Sequence, residues 1–336
     1  MKEKITRRGV LAKSGIAAVT TTGLAGCLGD VTDDTTSITL ASSFEPGHIN
    51  VEAAEIFGDL VEEESDGNIE VDVSAGGSYG AEDEIAELVS EGSVEGSAGG
   101  ALPHTIYIPE YSFFMGGPYV IEDFDHMLRV MDSDLMDGEN EELIEAGNQR
   151  RIGNVIYRGW RQFTSNVPVR TPDDLGGINL RYDGIDSRGD IFEAVGVDPV
   201  PVPLDELYSA LQQGTVDASE GDVEQIYSFN LFEVQDYLSL TEHLLEVGLL
   251  YLNEDVFQGL DESEQDLILE LAEEATDEAS EIAEDREEDR MDELADEGME
   301  IVEDVEVEAF RENAQPAIED WFESAWVGSY DEVQDI

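Results

Sequence analysis

Arginine is the residue type whose placement carries chemistry in this 336-residue chain. From Cys27 onward there are 80 acidic residues against 11 bases, and every one of those bases is arginine. Seven of them (Arg150, Arg151, Arg158, Arg161, Arg170, Arg181 and Arg188) fall within one 39-residue window. Local pairing with the abundant carboxylates accounts for Arg150, Arg151, Arg170 and Arg188. Arg161 and Arg181 differ. They sit in "YRGWRQFTSN" and "INLRYDG", among apolar and aromatic residues at strand-to-loop junctions. Strand ends are where open α/β sheets receive ligands, and a guanidinium is a planar fork that fits a carboxylate with two parallel hydrogen bonds. The chemistry implied is capture of an organic acid.

Catalytic patterns are weaker. "GGSYG" (76–80) fits G-x-S-x-G between a strand and a helix, so Ser78 is a candidate hydrolase nucleophile with His243 as its distant base. No HGGG-type oxyanion signature precedes it, and the simpler reading is a glycine turn. The four histidines (His48, His104, His126, His243) lack metal-ligand spacing, and neither a P-loop nor a GxGxxG is present. No metal or cofactor is expected, and the chain reads as a binding protein and not an enzyme.

The elements that must carry these arginines alternate. "ITLASSF", "IEVDVSA" and "GSAGGA" read as strands separated by helical segments 50–67 and 81–92. The centre repeats the pattern: strand "NVIYRGWRQFTS", helix start "TPDDL", strand "INLRYD", helix "SRGDIFEAVG", extended "DPVPVP" and helix "LDELYSALQQG". Strand–helix alternation predicts a parallel sheet with crossover helices. Between Asp261 and Glu300 there is no proline and only one late glycine, which predicts a single helix of about 35 residues.

The formal charge is −65. At ordinary salt such self-repulsion is costly, whereas in molar salt the Debye length of roughly 3 Å screens it. A lysine-free acidic surface on an ordinary apolar core resembles proteins of extreme halophiles. It also argues against nucleic-acid binding, which needs clustered positive charge. The amino end is the exception, with a basic start, Arg7–Arg8 and a short apolar stretch ending in "LAGC". It resembles a twin-arginine export signal (1–27) closed by a lipobox whose Cys27 becomes lipidated. Residues 28–37 read as a tether between that anchor and the folded body. The expected location is the extracellular face of the cell membrane.

"TPDDLGGINLRYDGIDSRGDIFEAVGVDPVPVPLDELYSALQQGTVDASEG" resembles the central signature of TRAP-transporter solute-binding proteins of the C4-dicarboxylate-binding, DctP-like type, here in a lipoprotein of haloarchaeal type. Weaker agreement extends over most of the chain beyond Cys27. The resemblance implies an α/β, two-domain, periplasmic-binding-protein-like (Venus flytrap) fold with a long helix spanning both domains. The domains would comprise 38–158 plus 248–285 and 159–247 plus 286–336. It implies a cleft closing on a small carboxylate ligand, and TRAP membrane permease subunits as partners. Arg181 matches the family's carboxylate clamp and Arg161 a second cleft arginine. Glu220, His48 and Glu82 match positions near the pocket, and Trp160 and Tyr182 are candidate walls. The chain departs from the family at Gly221 and Asp222, where asparagine and proline are usual. A binding protein for another transporter or a sensor is the alternative reading, with the Ser78 hydrolase behind it.

Overall fold

The computed structural model describes residues 35–336. The expected signal, the lipobox reading at Cys27 and most of the expected tether lie outside those residues. The tether's last two positions, Thr36 and Ser37, already belong to the first strand. Nine strands form one sheet: β1 (Thr36–Ala41), β2 (Ile69–Ser74), β3 (Gly96–Gly99), β4 (Gln149–Ser165), β5 (Asn179–Tyr182), β6 (Asp198–Pro201), β7 (Ala218–Asp222), β8 (Tyr237–Asn253) and β9 (Glu300–Val302). Their order is β2-β1-β3-β8-β4-β7-β5-β6, with β9 beside the start of β8. The predicted parallel units stand at the two flanks, where β1 runs parallel to β2 and β3, and β5 to β6 and β7.

The centre corrects the all-parallel expectation. β4 and β8 are 17 residues each and antiparallel. β3 pairs antiparallel with the second half of β8, and β7 with the second half of β4. These two strands run from one flank to the other. Over 237–246 the apolar doublets and the polar run Thr241–His243 break strict alternation, so a periodicity reading misses the first half of β8 and registers only the apolar run after it. Helix starts are also shorter than expected. "TPDDL" forms only a 3-10 turn, Pro172–Leu175, because Gly176 and Gly177 follow at once.

The β4–β8 register shifts between Ile152 and Ile156, Tyr157 and Gly159, and Arg161 and Phe163. Bulges of this kind release strand N–H groups, which must find other acceptors. The helix Glu262–Asp296 supplies them: Asn154 N donates to Thr276 Oγ1, Tyr157 N to Ser280 Oγ and Trp160 N to Glu287 Oε1, each at 3.0 Å. Small residues on that helix face (Ala272, Ala275, Ala279, Ala283) permit the close approach. Gly153 has φ +67°, and a Cβ there would lie 2.5 Å from the Ala272 carbonyl oxygen.

This helix is 35 residues long, as its composition predicts. Asp261 caps it by accepting from Ser263 N and Glu264 N, while Glu264 accepts from Asp261 N at 2.8 Å. It meets elements of both flanks. Arg286 pairs with Glu52 of the helix Ile49–Glu64, and Arg290 with Glu224 of the helix Val223–Ser228. Among the described residues no helix is long and apolar enough to cross a membrane.

Candidate functional site

The β4–β7 register places Arg161 opposite Asp222 and Phe163 opposite Glu220, so Arg161 and Glu220 are diagonal neighbours on one sheet face. The guanidinium closes on the carboxylate with two bonds, Nε to Oε2 at 2.5 Å and Nη2 to Oε1 at 2.7 Å. Its remaining arm, Nη1, donates to Glu246 Oε1 at 2.8 Å. Both partners of the central pair are buried. Burial pushes the Glu220 carboxyl up. The Arg161 charge and the hydrogen bond from His243 outweigh it and hold the group well below the usual carboxylate range. His243 is kept neutral by burial. A ring protonated at Nε2 donates to Glu220 at 3.1 Å and accepts at Nδ1 from Thr241 at 2.8 Å.

Arg181 lies on β5, one strand beyond β7. It is only 2% exposed, yet it has no carboxylate oxygen within 4.0 Å among the described residues. Its one hydrogen bond runs from Nε to the Val202 carbonyl at 2.9 Å. Burial depresses its pKa, opposed by Glu220 and assisted by the neighbouring charge of Arg161. A buried charge without a counter-ion is costly, and a fork in this state is complementary to an anion.

Two further arginines and one acid complete the cluster. Arg188 donates Nη1 to Asp183 at 2.5 Å and Nη2 to the Met115 carbonyl at 2.7 Å. Arg158 makes no hydrogen bond among the described residues, and its Nε is buried without a partner. It rests 5.0 Å over the Phe44 ring, 3.6 Å from Glu246 and 3.9 Å from Asp222. Glu246 is thus shared by Arg161, Arg188 and Arg158. Burial alone would raise its carboxyl, but the three guanidinium groups, Arg161 foremost, bring it down to about 2. Neither Glu246 nor the role of Arg158 is read from the sequence. The signal that could have found them is a lone charge inside an apolar strand, in "HLLEVGLL" and "NVIYRGW".

His48 and Glu82 gather around Arg158. His48 caps the helix Ile49–Glu64, its Nδ1 accepting from Asn50 N at 3.2 Å, and its ring stacks on Phe44 at 4.0 Å. Burial, assisted by the Arg158 charge, lowers its pKa to about 3. Glu82 Oε1 accepts from Gly100 N at 2.6 Å, and burial raises its carboxyl. Trp160 and Tyr182 each follow or precede an arginine by one strand position, which turns them to the opposite face. Trp160 packs on the main core, and Tyr182 lines an outer groove with Asp186, Gly189 and Trp321. At Gly221 a Cβ would come within 2.8 Å of Gln225 Nε2, so that amide occupies the space a side chain would take. All four arginines expected to pair with local carboxylates do form ion pairs, but only Arg188 does so with a near neighbour in sequence, Asp183, whereas Arg150 meets Glu254, Arg151 Glu139 and Arg170 Asp304 across 104, 12 and 134 residues.

The hydrolase geometry is not assembled. Ser78 is exposed and its hydroxyl bonds Ser74 Oγ at 2.8 Å and the Ala75 carbonyl at 3.3 Å, while His243 is engaged with Glu220 and Thr241.

Residues 40–325 match the family model for bacterial extracellular solute-binding proteins, family 7 (DctP). The chain is 25% identical over 281 residues to the sialic acid-binding periplasmic protein SiaP of Vibrio cholerae, covering 84% of this chain and 87% of that protein. It is 26% identical over 271 residues to the 2,3-diketo-L-gulonate-binding periplasmic protein YiaO of Escherichia coli, covering 80% and 82%. The crystal structure of a TRAP periplasmic solute-binding protein of Roseobacter denitrificans with bound L-galactonate aligns at a TM-score of 0.73 and 26% identity, over 85% of this chain and 94% of that one. These similarities are to two-domain binding proteins and not to enzymes. With the family match over most of its length, the chain belongs to the DctP family of extracellular solute-binding proteins.

Proposed function

We propose that this protein is the extracytoplasmic binding subunit of a TRAP transporter. It captures a small organic acid between two domains, 38–158 plus 248–285 and 159–247 plus 286–336, and hands it to membrane permease subunits. Export by the twin-arginine route and lipidation of Cys27 would hold it at the outer face of the cell membrane. The strand breaks at Tyr157/Gly159 support a hinge near the first boundary.

The observation that carries the reading is Arg181, buried and with no carboxylate partner among the described residues. A ligand carboxylate satisfies both free arms of its fork. Closure then removes water and salt from the pair, which matters because exposed pairs contribute only about 0–1 kcal/mol. Arg161, whose arms are taken by Glu220 and Glu246, adds its charge and keeps those acids in place. The relatives' sialic acid, diketogulonate and galactonate each join a carboxylate to an oxygen-rich body, which supports a hydroxylated acid as the ligand class.

Titration calorimetry with a panel of sugar acids, and the matching neutral sugars as controls, tests this. Acids bind and neutral sugars do not, and Arg181→Gln costs about 2–5 kcal/mol of affinity. A loss below tenfold overturns the clamp.

A further inference from the structure

We propose that Glu246 restricts this site to acids carrying a single negative charge, so that the end of the ligand remote from Arg181 is a neutral, hydroxylated tail. The inference rests on the reading of Arg181 as the carboxylate clamp.

The charges of the site support one ligand anion and not two. Of the four guanidinium groups, Arg158, Arg161 and Arg188 each have a protein carboxylate within 4.0 Å, and Arg181 has none among the described residues. Against Arg161 and Arg188, the neighbours of Arg181, stands the Glu246 carboxylate, which those guanidinium groups hold ionised on β8 opposite Gly159. Next to it comes Arg158, already facing Glu246 and Asp222, with Glu82 alongside. His48 adds no positive charge there, because burial and Arg158 keep its ring neutral. Two paired acids at this end, Glu246 and Asp222, face the lone guanidinium of Arg158. A second ligand carboxylate would lie against like charge in a poorly screened setting, where contact at about 4 Å is strongly unfavourable.

A hydroxyl meets the opposite situation, since it both donates and accepts. Arg158 offers N–H groups that make no hydrogen bond among the described residues. His48, with Nδ1 accepting from Asn50 N, carries its proton on Nε2 and offers a second donor. Glu82 and Glu246 each keep one carboxylate oxygen that accepts no hydrogen bond among the described residues. Donors (Arg158, His48) and acceptors (Glu82, Glu246) thus stand together around Arg158, as a polyhydroxylated chain requires.

Matched acid pairs test the inference, because each pair differs only in whether the last carbon is a hydroxymethyl or a carboxylate: D-erythronate with meso-tartrate, D-gluconate with D-glucarate, and D-galactonate with galactarate. In calorimetry on the full chain, the best-bound mono-acid is expected to exceed its diacid by at least about thirtyfold, and Glu246→Gln to narrow that ratio by about tenfold or more. A diacid that binds as tightly as its mono-acid overturns the proposal while leaving the Arg181 clamp intact. An unchanged ratio in Glu246→Gln removes Glu246 as the selector. If no member of any pair binds, the clamp reading itself falls and the proposal with it. Should Glu246→Gln not fold, the wild-type ratio and Asp222→Asn, which keeps an acceptor for Gln225 N, decide the question.

Discussion

Arg161 and Arg181 look alike in sequence, and replacing each by methionine should have opposite consequences for folding. Arg161→Met removes both bonds that hold Glu220 and the shortest bond to Glu246, leaving a carboxylate that is 1% exposed with only His243 as donor. Breaking a buried pair in this way costs about 3–5 kcal/mol. Arg181→Met forfeits one hydrogen bond to the Val202 carbonyl, about 1 kcal/mol. In return it removes a buried cation that has no carboxylate partner among the described residues and lies close to Arg161 and Arg188. Exchanges of a buried ion for a well-packed apolar group are often neutral or stabilising by about 1–4 kcal/mol. Arg181→Met should therefore match or exceed the wild type in stability, with the two variants about 3–6 kcal/mol apart, and it should bind no acid. The assay is urea unfolding at constant salt, since a guanidinium denaturant would alter charge screening as well. If Arg181→Met is as destabilised as Arg161→Met, Arg181 is part of the structural ion-pair network and the argument from its unpaired charge fails.

Two other outcomes follow from the geometry. His48 is held neutral to about 3, against an ordinary value near 6.5, so between those values the unfolded chain binds a proton that the folded chain does not. Its contribution to stability is complete above pH 6.5 and declines as pH falls towards 3. Urea midpoints measured from pH 7 to 4.5 should fall less steeply in His48→Asn, which still caps the helix; identical slopes would show that His48 is not titrating this way. A Cβ on Gly96 would lie 2.4 Å from the Tyr251 carbonyl oxygen and 2.6 Å from Leu40 Cδ2, so Gly96→Ala should cost about 1–3 kcal/mol in the same unfolding assay. An unchanged midpoint would mean that β3 has room to shift between β1 and β8.

What the amino-acid sequence determined by itself is local. The 35-residue helix follows from an Asp261–Glu264 capping pattern and a run without proline, and the flanking strands and helices from their periodicity. Arg161 and Arg181 stand out because a cation amid apolar residues needs a partner wherever the chain folds. Tertiary structure decided which arginine has one. Arg161 meets Glu220 and Glu246 across 59 and 85 residues of chain, through the registers of β7 and β8 with β4, and no spacing rule reports a register at that range. The β4–β8 register also brought Arg158 to Glu246, while alternation along β4 and β5 put Trp160 and Tyr182 on the face opposite their neighbouring arginines. A strand's residues alternate by a rule visible in sequence, but which face receives the ligand depends on what packs behind it. Arg181, on the other side of β7, finds both oxygens of Glu220 already taken by Arg161, and has no carboxylate oxygen within 4.0 Å among the described residues.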